Sequence, residues 1–185
     1  MVSETTAKDD EVLEGDEGEP QVGRPRDVGR QLLLTRLSEV RRDQLPVTVG
    51  PDATVAKAVD LMKKKRASAV MVVTRKKPRR LLGLFTERDF LGRALGARGF
   101  GRLPVRKVMT ADPETLSPGD SVAYAMNKMH VGRYRHVPLV DADGVPVGMI
   151  SARDLVDFMC ELCPEEIMNL PSQPSYAVPR TREGE

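Results

Sequence analysis

No tryptophan occurs in this chain of 185 residues, aromatic side chains make up 4% of it, and there are two cysteines and two histidines. Each scarcity excludes something. With so few rings, the core must be aliphatic and rich in methionine; nine methionines fit more simply as gap fillers on helices than as a soft cofactor site. Cys160 and Cys163 form a single Cys-x-x-Cys in the apolar stretch DFMCELC, with no nearby histidine, so one chain cannot close a tetrahedral zinc site. They read as buried or half-buried helix positions, with a reactive dithiol or half of a shared zinc site as the alternatives. His130 and His136 have no Ser or Cys positioned beside them by sequence, so no nucleophile–base pair is visible and the expectation is that the chain is not an enzyme. No run approaches the roughly 18 apolar residues of a membrane span. The acidic start also lacks the basic-then-apolar order of a secretory leader, and the reading is therefore cytoplasmic.

The formal net charge of +2 hides an asymmetry. Residues 1–20 carry eight acids and one base, Lys8, which leaves the remainder strongly basic. That opening stretch has few apolar residues and no period, and residues 1–30 are read as a disordered acidic tail. Between Lys63 and Arg80 there are nine bases and no acid. Nucleic acid must be weighed there, but no aromatic residue interleaves the bases as a stacking platform. The run at 75–80 also joins two strands expected to pair antiparallel, at the end of the sheet away from 86–89. A solvated face is the favoured reading, ahead of contact with the acidic tail or a partner protein, and nucleic acid comes last.

What the sequence does contain is a phrase written twice. LFTERDFL at 84–91 and MISARDLV at 149–156 share a preceding Gly (Gly83, Gly148), two apolar residues, a hydroxyl residue, and then Arg-Asp. The repeat extends outward: PDATVAKAVDLMKKKRASAVMVV at 51–73 aligns without a gap on PGDSVAYAMNKMHVGRYRHVPLV at 118–140. In each copy a capping residue (Thr54, Ser121) precedes apolar positions at helical spacing. Short apolar runs of strand length follow at 69–73 and 81–85, and again at 137–140 and 147–150. Thr86 and Ser151 then open final helices whose apolar faces are Phe90, Leu91, Ala94 and Leu95 in one copy, and Leu155, Val156, Phe158 and Met159 in the other. With short strands near 47–49 and 115–116, each unit reads β-α-β-β-α. The fold class is α/β (α+β), with two such repeats packed as a pseudo-twofold pair, since neither is large enough to be comfortable alone. The boundaries are 31–100 for the first repeat, 101–163 for the second, and 164–185 for a C-terminal extension. A cleft between the halves is the natural place for a ligand.

The repeated phrase has two physical readings. A hydroxyl residue with an acid three positions later is a capping-box spacing, in which Asp89 and Asp154 reach back to a backbone N–H. Capping does not ask for Arg88 and Arg153, however. A helix N-terminus presents N–H groups and partial positive charge, worth about 0.3–1 kcal/mol to an anion at an exposed site. Arg in the first turn adds charge-assisted bonds to phosphate, and an acceptor-only Asp suits neighbouring ribose hydroxyls.

With those residues in place, the chain resembles the tandem CBS domains, or Bateman modules. The resemblance covers roughly residues 38–160. It rests on the two Gly-x-x-[Ser/Thr]-x-x-Asp phrases, Pro-x-x-x-Val before each first helix, Arg-His-Val-Pro-Leu-Val-Asp at 135–141, and Val108-Met109-Thr110. It implies a homodimer with an adenosyl ligand (AMP, ADP, ATP or S-adenosylmethionine) in clefts between paired units, and no required cofactor or metal. Carried onto this chain, it implies that Asp89 and Asp154 hold ribose, while Thr86, Arg88, Ser151, Arg153 and His136 meet phosphate. Backbone at Ala67, Ser68, Ala69 and Val70, and at Arg133, Tyr134, Arg135 and Val137, would read the adenine edge. The first copy departs from the pattern, having Ala69-Val70-Met71 where the second has His136-Val137-Pro138, so the two clefts are not expected to be equal. The function implied is a non-catalytic sensor that passes nucleotide occupancy to an unidentified regulated protein. Two alternatives stand beside it: an interaction module whose phrases serve only as helix caps, and a thiol redox protein using Cys160 and Cys163. The tail at 172–185 is expected to be a loose extension able to dock through Tyr176 and Val178.

Overall fold

In chain order the computed structural model, which describes residues 25–40 and 45–164, runs α1 (Pro25–Leu34), α2 (Leu37–Val40), β1 (Thr48–Val49), α3 (Val55–Lys65), β2 (Ala69–Val73), β3 (Leu81–Thr86), α4 (Glu87–Asp89), β4 (Thr110–Ala111), α5 (Val122–Gly132), β5 (His136–Val140), β6 (Pro146–Ser151) and α6 (Ala152–Leu162). The caps expected from sequence start the long helices. Thr54 accepts from the Lys57 N–H at 3.2 Å and Ser121 from the Tyr124 N–H at 3.3 Å, each satisfying a donor that the first helical turn leaves unpaired. Both helices end on an arginine in the left-handed region, Arg66 (φ 51) and Arg133 (φ 54), which turns the chain sharply into the next strand.

The first repeat, joined by β4 from the segment that follows it, forms a four-stranded sheet in the order β1-β2-β3-β4, with β1 and β2 parallel and the other pairs antiparallel. β5 and β6 form an antiparallel hairpin in the second repeat, and the strand expected at 115–116 is reduced to one parallel bridge between Leu116 and Leu139. All five residues of β2 are buried, because one of its faces meets α3 and the other meets the second repeat. The layer between the repeats is formed by Ala69, Met71 and Leu84 with Leu81 and Met149. A backbone bond from the Leu81 N–H to the Gly144 carbonyl (3.0 Å) joins the ends of the two hairpins.

Each repeat is closed by the segment that leads, in sequence, into the other. Val105 and Val108 complete the core under α3, and the Val105 N–H donates to the Ala53 carbonyl at 2.8 Å. Leu37 completes the core under α5, its N–H donating to the Asp120 carbonyl at 2.9 Å. Leu32, on α1, packs against that same core.

Two expectations change. First, α1 begins at Pro25, inside the stretch 1–30 read as a disordered tail; the dense acids at 4–19 precede it, and the amphipathic segment after them finds the second core to pack on. Second, the final helix of the first repeat is one turn, α4, followed by a π-helical turn over Phe90–Ala94. Gly92, Gly96 and Gly99 weaken any continuation, and Leu91 and Leu95 are 66% and 48% exposed rather than core. The expectation for the bases between Lys63 and Arg80 holds: Lys63 to Arg66 and Arg75 to Arg80 are exposed. The register Ala69↔Thr86 to Val73↔Leu81 sends the 74–80 turn to the far end of the sheet, while Lys63 to Arg66 sit beside the start of β2. In that turn Thr74 bonds the carbonyls of Lys76 and Pro78, and Arg75 shares Asp52 with Arg106. Among the described residues, no helix is long and apolar enough to cross a membrane. The acidic residues 4–19 and the tail at 172–185, with Tyr176 and Val178, lie outside the described residues.

Candidate functional site

The strand–helix junction of the first repeat faces the α5–β5 loop of the second across an open cleft, a cavity of about 220 Å³. Thr86, Glu87, Arg88, Asp89 and Arg93 form one wall. Tyr134, Arg135 and His136 form the other, with Ser68, Leu84, Thr110, Pro113 and Glu114 completing the lining.

At the junction the capping box is fully made. Thr86 donates to Asp89 Oδ2 through its N–H (3.0 Å) and its hydroxyl (2.7 Å), and the Asp89 N–H returns to Thr86 Oγ1 (3.3 Å). The Glu87 N–H donates to the Ser68 carbonyl at 3.1 Å. Three of the four N–H groups from Thr86 to Asp89 are therefore taken up within the fold. With α4 only a single turn, the helix terminus contributes little of the anion attraction that the sequence suggests; the arginine side chains carry it instead. Asp89 is 6% exposed, and its second oxygen accepts from Thr110 Oγ1 (3.2 Å) and Arg93 (3.1 Å). These contacts match the roughly four acceptor positions of a carboxylate, so a ribose hydroxyl reaches Oδ1 by displacing Thr110 or Arg93.

Arg93 also donates to the Met109 carbonyl (3.0 Å), stapling β4 to the junction. Gly83 allows that approach, because a Cβ there would overlap the Met109 thioether and lie 2.9 Å from the Thr110 carbonyl. Two side-chain contacts run from the junction to the α5–β5 loop and the start of β5: Arg88 donates to the Arg133 carbonyl at 3.1 Å, and Ser68 Oγ shares a hydrogen bond of 2.6 Å with His136 Nε2. The second pairs a hydroxyl with a histidine that has none beside it in sequence, since Ser68 reaches His136 only through the packing of one repeat on the other. Opposite, Tyr134 folds its ring over Gly132, where any Cβ would collide with it. Burial first, and then the Glu114 charge, raises the Tyr134 pKa above its ordinary value.

Of the residues singled out from sequence, the cleft gathers Ser68, Thr86, Arg88, Asp89, Tyr134, Arg135 and His136. Arg133 contributes its carbonyl, while Ala69, Val70 and Val137 are core and Ala67 bonds its N–H to the end of α3. Ser151, Arg153 and Asp154 do not line this cleft. Ser151 and Asp154 form the matching capping box at the start of α6, with the Ser151 N–H donating to Asp154 Oδ2 at 2.7 Å. Leu84, Glu87, Arg93, Thr110, Pro113 and Glu114 were not anticipated as site residues; the repeated phrase at 84–91 pointed near the first three, and Val108-Met109-Thr110 near the others. Cys160 and Cys163 are free and partly exposed at the end of α6, away from the cleft lining. Among the described residues, no cluster of His, Cys, Asp and Glu could hold a metal ion.

Two segments, 39–96 and 105–161, match the family model for the CBS domain. A CBS-domain protein from Pyrobaculum aerophilum, solved in complex with AMP, superposes with a TM-score of 0.63 at 30% identity, covering 69% of this chain and 98% of that one. A CBS-domain-containing protein from Agrobacterium tumefaciens gives 0.61 at 29% identity, over 68% of this chain and 99% of that one. Among curated relatives, an uncharacterised 17.7 kDa protein of Acidianus ambivalens is 30% identical over 66% of this chain and 72% of its own length. Inosine-5′-monophosphate dehydrogenase of Nitrosopumilus maritimus is 31% identical over 60% of this chain, which spans only 22% of that enzyme.

Proposed function

The chain belongs to the CBS-domain family, and from that premise we propose that the cleft beside Asp89 binds an adenosine phosphate and passes its occupancy to a partner protein without catalysing a reaction. The carrying observation is that Arg88, Arg93 and Arg135 converge from both repeats on one cavity whose far wall holds Tyr134. Guanidinium groups suit phosphate oxygens, and an aromatic wall suits a base. The similar Pyrobaculum protein was solved with AMP, which supports the same ligand class here. AMP, ADP and ATP fit the arginines better than S-adenosylmethionine, which carries no phosphate.

Occupancy acts through exchange of contacts. A phosphate that recruits Arg88 releases the Arg133 carbonyl, and a ribose hydroxyl on Asp89 releases Thr110 or Arg93. The ligand shifts the relative placement of the repeats only by its differential affinity for the two placements. The reading includes a cytoplasmic homodimer, with Leu91, Leu95, Val131 and Val156 as exposed apolar residues available for contact.

One observation favours a second reading. Both oxygens of Asp89 are already engaged, as expected of an interaction module whose repeated phrases are caps alone. A calorimetric melting scan with AMP, ADP, ATP and S-adenosylmethionine separates the two. A ligand at a hundred times its Kd adds about 2.7 kcal/mol, roughly 5–10 °C for a chain of this size. We expect that shift with a phosphate-bearing compound, and its loss in both Asp89→Ala and Arg88→Gln. No shift with any of the four supports the interaction module.

A further inference from the structure

The cleft presents an electrostatic difficulty for the ligand assigned to it. Its lining holds three arginines, Arg88, Arg93 and Arg135, and three acids, Glu87, Asp89 and Glu114, so the formal charges of its arginines and carboxylates cancel. Arg93 is spent on Asp89. A nucleotide phosphate carrying up to two negative charges would therefore meet little net attraction.

Glu114 is the acid whose charge is cancelled from outside the lining. Its Oε2 accepts from Lys128 Nζ at 3.0 Å, and Lys128 stands on α5, outside the cleft lining. Lys128 Nζ also lies over the Tyr124 ring, 5.7 Å from its centroid. The hydrogen bond to Glu114, followed by the Glu114 charge, raises the Lys128 pKa above its ordinary value.

We propose that Lys128, which does not line the cavity, determines the preference of the Asp89 cleft for phosphate-bearing over uncharged adenosyl ligands by neutralising Glu114. The assignment rests on the nucleotide reading above. Lys128 is a positioning residue: it keeps the Glu114 carboxylate turned to α5 and offsets its field at the phosphate. Removing it leaves an uncompensated acid on the wall that the phosphate must pass. Because both groups are partly exposed, the effect is screened by salt.

The test is calorimetric titration of AMP and of adenosine into the wild-type chain, Lys128→Met, Glu114→Gln and the double variant. At low ionic strength Lys128→Met should weaken AMP by about three-fold, the size expected of one surface charge acting across a solvent-filled cleft. Adenosine affinity should stay unchanged. Glu114→Gln should bind AMP at least as tightly as wild type, the double variant should recover wild-type affinity, and the Lys128→Met deficit should shrink in 0.5 M salt. Equal loss of AMP and adenosine in Lys128→Met would mean a packing role and overturn the assignment, as would a double variant no better than Lys128→Met. If wild type takes AMP and Lys128→Met is indistinguishable from it, this inference alone fails. If wild type takes up neither compound, the nucleotide reading fails with it.

Discussion

At the scale of single residues, Gly83 shows how closely the site depends on one missing atom. Its Cα faces the Met109 thioether and the Thr110 carbonyl, so the antiparallel pairing Gly83↔Ala111 and Leu84↔Thr110 exists only without a side chain there. Gly83→Ala should lift β4 from β3 and carry Thr110 away from Asp89. The cost should be on the order of 1–3 kcal/mol, read as a lower denaturant midpoint, with weakened ligand binding as the second readout. An unchanged midpoint would show that β4 docks elsewhere at no cost. The glycine of the repeated phrase was visible in the sequence, but its use was not, because Met109 lies well outside the phrase. The same holds for Ser68 and His136, whose bond joins residues that are |i−j| = 68 apart.

At the scale of elements, the helix starts were legible and some of the ends were not. Thr54, Ser121, Thr86 and Ser151 are capping residues in composition and in fact. The ends of α3 and α5 fall on arginines in the left-handed region, a place where glycine is the usual signal. Arg66→Gly should relieve the steric cost of that conformation while keeping the bonds from its N–H to the Lys63 and Met62 carbonyls. Part of the gain is lost to glycine's greater unfolded-state entropy, leaving about 0.5–1 kcal/mol of net stabilisation. A raised midpoint with an unchanged m-value is expected; a lower midpoint would mean that the arginine side chain stabilises the fold by more than the strain it carries. The shortening of α4 was not legible, because Phe90, Leu91, Ala94 and Leu95 fit a helical face equally well. What sets that turn aside is a run of glycines together with Arg93 reaching the distant Met109 carbonyl.

At the scale of the whole molecule, the two repeats are interdependent. Leu37 and Val105 are both completely buried, each in the core of the repeat that its own segment does not lead into. The internal repeat and its β-α-β-β-α frame could be read from aligned residues, but this crossing of segments could not, since either segment could have closed its own unit. The cleft inherits that arrangement. Its Asp89 wall belongs to one repeat and its Tyr134–His136 wall to the other, while Thr110, Pro113 and Glu114 come from the connection between them. The central claim is that an adenosine phosphate occupies this composite cleft. Backbone amide NMR during titration with AMP tests it most directly, because every wall reports separately. The account predicts saturable shifts concentrated at Arg88, Asp89, Thr110, Tyr134, Arg135 and His136, with the 74–80 turn unmoved. Shifts confined to that basic turn, or no saturable shifts at all, would contradict it.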